Sequence, residues 1–461
     1  MTTSFTTENF TTFGYWWLPE KPDHQLPGML KYEVGEPIKL EILGAFNEEW
    51  RHGKLAGNIE TPILGIDSKG RPFTLFHCHH GTNLHFPGCP TTLITSQLAF
   101  DGVHFDNLEE AIFNNISVYF SYLYEWFEPP TKQLRYTLID DKIHSISMNY
   151  MPMPKVAVDI ENNIIIEIGV HANIPTATAR EVSFREAVFL VISRKEKCGF
   201  YDLIKIIYQM KSFFKLAMRN RISILKLSGQ TEKAIFTFDS GEKRYEEVKI
   251  YHYGIENLLE NIKIHDMLFC YKDIENRFSK MVGKWLELYE KIEPVLNIHS
   301  IIMERETYIE HDFLDITQAL ETFHRRLRNN QELCDSQHQD RMEKILEAVP
   351  IEYKDWLQKK LRYSNEPTLN KRLKELFKEF FCFFGNQKEF VRKVTLTRNN
   401  LTHPKSQQEQ GCLSGNNLKI ATEKLRLLLV FLLMKMIGFE ETEIVELIRK
   451  NNNLMYWVRS S

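Results

Sequence analysis

The sequence predicts an α+β chain in two parts, a β-rich N-terminal domain (sandwich or barrel-like) followed by an all-α helical bundle. Three observations predict it. Short β-branched and aromatic runs, broken by Gly, Pro, Asn and Asp, fill the chain to about residue 175. The apolar period then turns helical, first over 199–225 and again from about residue 273 to the end. At 461 residues, 43% hydrophobic and 26% charged, the chain is too long for one ordinary core and too apolar to be disordered.

In chain order, residues 38–43 (Ile-Lys-Leu-Glu-Ile-Leu) alternate as a half-buried strand does. Segments 73–76, 92–95 and 116–120 are rich in strand-forming side chains. Pro27-Gly28, Ser68 to Gly70, Pro87-Gly88 and Asp101-Gly102 supply the turns between strands. Segments 156–160 and 164–168, with Glu161, Asn162 and Asn163 between them, read as a hairpin. The helical insert over 199–225 precedes two more strands, 234–238 and 248–251, joined through 239–242. The bundle is expected as helices over 306–329, 338–347, 368–398, 416–437 and 440–450. Gly385 and Asn386 divide the third of these, and Gly438 closes the fourth. Domains are accordingly expected at 1–295 and 300–461, with the boundary after Pro294.

Composition narrows the function. A net charge of −3 means that any nucleic-acid surface is local. The N-terminus lacks the basic and apolar blocks of a secretory signal. The apolar run 427–434 is flanked by Arg426 and Lys435 and falls short of the ~20 residues that span a bilayer, so it reads as a core helix. Seven cysteines at irregular spacing form no disulfide framework and suit reduced thiols in the cytoplasm. Neither a Gly-rich phosphate loop nor a nucleophile elbow is present.

One short motif carries chemistry: Arg398-Asn399-Asn400-Leu401-Thr402-His403, followed by Pro404. On an unbroken helix, five residues rotate by about 140°, which keeps Arg398 and His403 on different faces. Pro404 pushes the residue before it out of the α region. Arg398 is therefore expected on the last helical turn and His403 in the break after it, where the two can serve one point. RNA cleavage without metal needs a base, an acid and a cation. Histidine titrates near neutrality, and arginine matches phosphate oxygens with a permanent charge. Spacing alone leaves a second reading open, a helix-end arginine beside a solvated histidine. Residues 354–405 hold thirteen Lys/Arg against five Asp/Glu, which suits either a phosphate backbone or a solvated helix face. The interleaved Phe377, Phe380, Phe381, Phe383 and Phe384 read as core.

These residues resemble the HEPN superfamily of ribonucleases, in which arginine, a polar residue (here Asn399), three further residues and histidine form the motif. The upstream helix around 314–324 resembles the opening helix of the ApeA-like HEPN domain. The N-terminal half resembles the domain that accompanies it in that anti-phage family, through Gly14-Tyr15-Trp16-Trp17-Leu18-Pro19, Pro27-Gly28-Met29-Leu30, and 98–105 running on to Trp126. The resemblance implies a metal-independent endoribonuclease that needs no cofactor. Its catalytic residues would be Arg398, His403 and Asn399, and its products a 2′,3′-cyclic phosphate and a 5′-hydroxyl. It also implies a homodimer in which two copies of His403 divide the acid and base roles. Abortive infection would follow from cutting host RNA, transfer RNA among it, after a phage-encoded trigger is sensed, with the N-terminal domain sensing or restraining. The first rival reading is a non-catalytic HEPN module for dimerisation or partner binding; the second is a HEPN-type nucleotidyl-modification partner from a toxin–antitoxin pair, although such modules are usually short single domains.

Other candidates stand outside that motif. Cys78, His80, His85 and Cys89 form a set that can close a structural zinc site, or an ordinary strand-to-loop passage. Glu321 and His324 share a helix face and are candidates for contacting RNA or orienting His403; a surface ion pair with Arg325 or Arg328 is the alternative. Cys334 and His338 are a further isolated pair at i and i+4.

Overall fold

The computed structural model describes residues 5–46, 57–84, 91–160, 163–173, 176–177, 182–254, 256, 262, 264–304, 307–403, 410–451 and 454–456. By compactness the chain divides into Met1–Phe214 with Ile222–Ser279, and Lys215–Arg221 with Lys280–Ser461. The division falls near the start of the helix Phe278–Ile302, so residues 280–295 group with the C-terminal unit.

Of the two β architectures expected, sandwich or barrel, the first unit contains a closed barrel. Its strands are β1 (Phe10–Trp17), β2 (Leu26–Tyr32), β3 (Ile38–Leu43), β4 (Gly57–Ile59), β5 (Ile63–Asp67), β6 (Pro72–Leu84) and β7 (Thr91–Asp101). The order β7-β3-β2-β1-β5-β6 closes on itself because β6 also pairs with β7. Alternation sends Trp16, Leu30, Leu40, Ile42 and Leu75 inward, where all are essentially fully buried. Gly65 makes that packing possible: a Cβ there would lie 2.2 Å from the Trp16 ring.

Strand β7 belongs to two neighbourhoods. Its first part, Thr91 to Ser96, pairs with β3, and Leu98 to Asp101 pairs with Val248–His252. From there the sheet continues through Ile224–Gln230, Ile112–Phe120, Glu186–Gly199, Ile164–Ala172 and Val156–Ile160. The last two form the expected hairpin, with Val156 opposite Ile168 and Ile160 opposite Ile164.

Two expectations in this unit are corrected. The helix read over 199–225 ends at Met218, and Ile224–Gln230 is a strand. Its apolar residues fit either period, but pairing on both sides, with Ile112–Phe120 and Val248–His252, satisfies its backbone in the sheet. Arg219, at φ 51°, turns the chain between them. The strand near 234–238 pairs with Lys243–Tyr245 in a separate small sheet, and 248–251 lies in the large one.

The second unit is helical. Its helices are Phe278–Ile302, Ile309–Leu327, Asp335–Glu347, Ile351–Leu361, Leu369–Lys378, Phe381–Phe384, Lys388–Thr402, Gly415–Ile437 and Glu441–Lys450. The expected long helix over 368–398 is three pieces, with Gly385 at φ 66° before the last. Ile351–Leu361 is an additional helix that the pattern reading missed. Gly438, at φ 111°, closes Gly415–Ile437 as expected. Residues 427–434 are buried on all sides, so this is a core helix. Phe377, Phe380 and Phe384 are core, with Phe380 and Phe384 each 5.4 Å from Phe431, while Phe381 stands exposed. No helix among the described residues is long and apolar enough to cross a membrane.

Candidate active site

The motif lies at the C-terminal end of Lys388–Thr402, which docks through Val391, Val394 and Thr397. The Thr397 hydroxyl donates to the Lys393 carbonyl and accepts the Leu413 N–H, both at 2.8 Å, tying the segment after the helix back onto it. His403 is the first residue out of the helix, at φ −134° and ψ 71°, with its N–H on the Asn399 carbonyl at 3.0 Å. That is the break expected from Pro404, which itself lies outside the described residues. The His403 side chain is exposed.

Arg398 sits on the last turn, half-buried. Its guanidinium donates to Glu321 Oε2 at 3.2 Å and to Asn399 Oδ1 at 3.3 Å. Both acceptors lie along part of the fork, and the remaining N–H groups stay available to an oxyanion. Glu321 comes from Ile309–Leu327 and also meets Arg325 at 3.5 Å. Glu321, offered by the sequence for RNA contact or for orienting His403, thus meets the motif arginine across 77 residues, together with Arg325, the ion-pair alternative.

Behind that contact runs an alternating chain of charges. Arg325 pairs with Glu366 at 3.0 Å, Glu366 with Arg372 at 3.0 Å, and Arg372 donates to His324 Nδ1 at 3.1 Å. His324 Nε2 then lies 2.7 Å from Glu375. Arginine has no acceptor, so His324 must accept at Nδ1 and carry its proton on Nε2, toward the carboxylate. His324 is fully buried and Arg372 is 1% exposed. Both residues therefore face the interior, and only Glu321 of the expected pair reaches Arg398. Sequence reading missed Arg372. The available signal was an arginine among Leu369, Leu373 and Leu376, on the buried face of Leu369–Lys378.

The remaining candidates fall elsewhere. Cys78 and His80 are both buried on β6, two residues apart and so on one side of the strand. Cys78 packs in the barrel core, where burial pushes its thiol up to about 12 despite a hydrogen bond with Ser96. His85 and Cys89 lie outside the described residues. Among the described residues no group of three or more His, Cys, Asp and Glu is arranged to hold a metal. Cys334 caps Asp335–Glu347, exposed, and its sulfur lies 3.3 Å from the Ser336 hydroxyl.

Residues 12–285 match the family model described as ApeA N-terminal domain 1, and residues 314–443 match the one described as Apea-like HEPN. The resemblance read from the sequence is borne out in both halves. No match was found among curated proteins or among solved structures.

Proposed function

The chain belongs to the family of ApeA N-terminal domain 1, joined to an Apea-like HEPN region of nuclease and defence type, and from that premise we propose that it is a metal-independent endoribonuclease. The observation that carries the reading is the helix end itself. An exposed His403 stands one turn beyond an Arg398 that Glu321 orients from a neighbouring helix.

In the proposed reaction His403 takes the proton of a ribose 2′-hydroxyl, and the 2′-oxygen attacks the adjacent phosphorus. Arg398 bears the charge of the phosphorane, with Asn399 holding its guanidinium. The P–O5′ bond then breaks, and the 5′-oxygen takes a proton from a second imidazole. One histidine cannot stand on both sides of a phosphate, so the acid is assigned to the partner copy of His403 in a homodimer. The products are a 2′,3′-cyclic phosphate and a 5′-hydroxyl. Host RNA, transfer RNA included, is the proposed substrate, and abortive infection the outcome. A phage-encoded trigger is assigned to the N-terminal unit, and structural zinc at Cys78, His80, His85 and Cys89 is left to metal analysis.

The test incubates the full chain, with and without phage-infected lysate, with total RNA in EDTA. The product ends are then analysed. Arg398→Ala and His403→Ala should each lower cleavage by roughly a hundredfold or more while leaving the fold intact. Cleavage that survives either substitution, or that chelator abolishes, sinks the mechanism. Indifference to infected lysate removes the trigger, and no cleavage under any condition leaves the non-catalytic HEPN module as the reading.

A further inference from the structure

The helices Asp335–Glu347 and Ile351–Leu361 form an antiparallel arm of which neither helix buries a residue. The arm is closed at its root. Asn365 accepts the Leu333 N–H at 2.9 Å and donates to the Leu333 carbonyl at 3.0 Å, and its own carbonyl takes the Glu332 N–H at 2.8 Å. Solvent-exposed aromatic side chains stand on its second helix and just beyond: Tyr353 is 53% exposed, Trp356 60% and Tyr363 65%. Tyr353, Trp356 and Lys360 fall at i, i+3 and i+7 and so share a face, with Lys359 beside them. Among the described residues Lys359, Lys360 and Arg362 make no ion pair, and Arg362 lies 5.4 Å over the Tyr363 ring. The first helix holds four carboxylates against two cations, whereas the second holds Glu352 and Asp355 against Lys354, Lys359 and Lys360, with Arg362 just beyond it.

We propose that this arm is the docking surface for single-stranded segments of the RNA substrate, with bases stacked on Trp356 and its neighbours and phosphates held by Lys359, Lys360 and Arg362. The proposal rests on the ribonuclease reading. The cations of the second helix decide the occupant. Exposed aromatics and arginine suit protein interfaces too, but lysine is depleted there, and Lys359 and Lys360 beside Trp356 fit a strand offering both a π-face and a phosphate at each step. A cavity of about 390 Å³, lined by His338 and Met342 of the first helix and by Asp355, Gln358, Lys359 and Leu361 of the second, is large enough to accept a splayed base. The arm also ends beside the motif's charge chain. Glu366, the residue after Asn365, pairs with Arg325 and Arg372. Strain on a loaded arm therefore meets the network that holds Arg398.

The test measures binding rather than cleavage, using the full-length His403→Ala chain with a short unstructured RNA and, separately, bulk transfer RNA. Trp356→Ala should weaken binding by about tenfold. Lys359→Glu with Lys360→Glu should weaken it further and lower the salt dependence by roughly two phosphate contacts. Both changes are on exposed residues, and thermal melting checks that the fold is kept. Unchanged affinity and salt slope in both variants overturn the proposal. So does normal RNA binding combined with loss of the response to infected lysate when the same arm changes are made in the wild-type chain, which would make the arm a protein-docking surface. The two readings fail separately: binding through the arm in the His403→Ala chain with no cleavage by the wild-type chain refutes only the nuclease, and cleavage by the wild-type chain with normal binding in both arm variants refutes only the arm.

Discussion

Arg398, the proposed phosphate ligand, is oriented by carboxylate and amide without being neutralised. Glu321 engages one edge of the guanidinium at 3.2 Å, but Glu321 is shared with Arg325, so its charge is divided between two cations. A phosphate oxygen therefore meets an oriented fork that still carries net positive charge. A second residue-scale feature is His299, buried in the C-terminal unit with no hydrogen-bond partner for Nδ1 among the described residues. Burial, reinforced by Lys215, Arg219 and Arg426, lowers its pKa to about 4. The carboxylates nearby are already engaged: Glu304 with Lys215 at 2.5 Å, and Asp312 and Glu423 with Arg426 at 2.6 and 2.5 Å. Between about 6.5, the unfolded value, and about 4, the unfolded chain binds a proton that the folded chain does not. This group's stability contribution is thus complete above that window and is lost as pH falls through it, by on the order of 3 kcal/mol in all. His299→Leu should flatten that slope, which urea unfolding at neutral pH and in the middle of the window would read. An identical slope in both chains would refute the assignment.

At the scale of elements, the motif helix is positioned by helices that carry charges into the core. Leu369–Lys378 starts at Thr368, whose hydroxyl accepts the Lys371 N–H, and presents Arg372 together with its leucines. Removing Arg372 leaves the buried Nδ1 of His324 without its donor, while Glu366 keeps Arg325 and solvent. Arg372→Ala should therefore cost about 1–3 kcal/mol. Arg372→Met, which keeps the volume, should cost less. A denaturation experiment in which Arg372→Ala loses under ~1 kcal/mol would mean that the contacts of Arg372 with His324 and Glu366 do not hold these helices together. Elements also explain which parts of the pattern reading failed. Ile351–Leu361 was missed because it buries none of its side chains and so carries no strong apolar stripe. The end of the helix Phe200–Met218 was misplaced because Ile222, Ile224 and Leu227 suit both periods, and only the neighbouring strands choose between them.

For the whole molecule, the proposed reaction requires two copies of the chain. If each site draws a histidine from both, wild-type chains co-expressed with an excess of His403→Ala chains should lose activity per wild-type chain in step with the fraction of mutant partners. Activity per wild-type chain that ignores the mutant would place both proton transfers within one copy. The sequence by itself determined the division into a β-rich part and a helical part. It also determined the closing glycine at 438 and the helix break at His403, because alternation, glycine's access to positive φ and proline's effect on its predecessor are local. Tertiary structure alone decided that β6 returns to β7 to close a barrel, that Ile224–Gln230 is a strand, and that His324 is buried on Arg372 while Glu321 reaches Arg398. Those choices join residues tens of positions apart, through backbone pairing and charge compensation that no local period records.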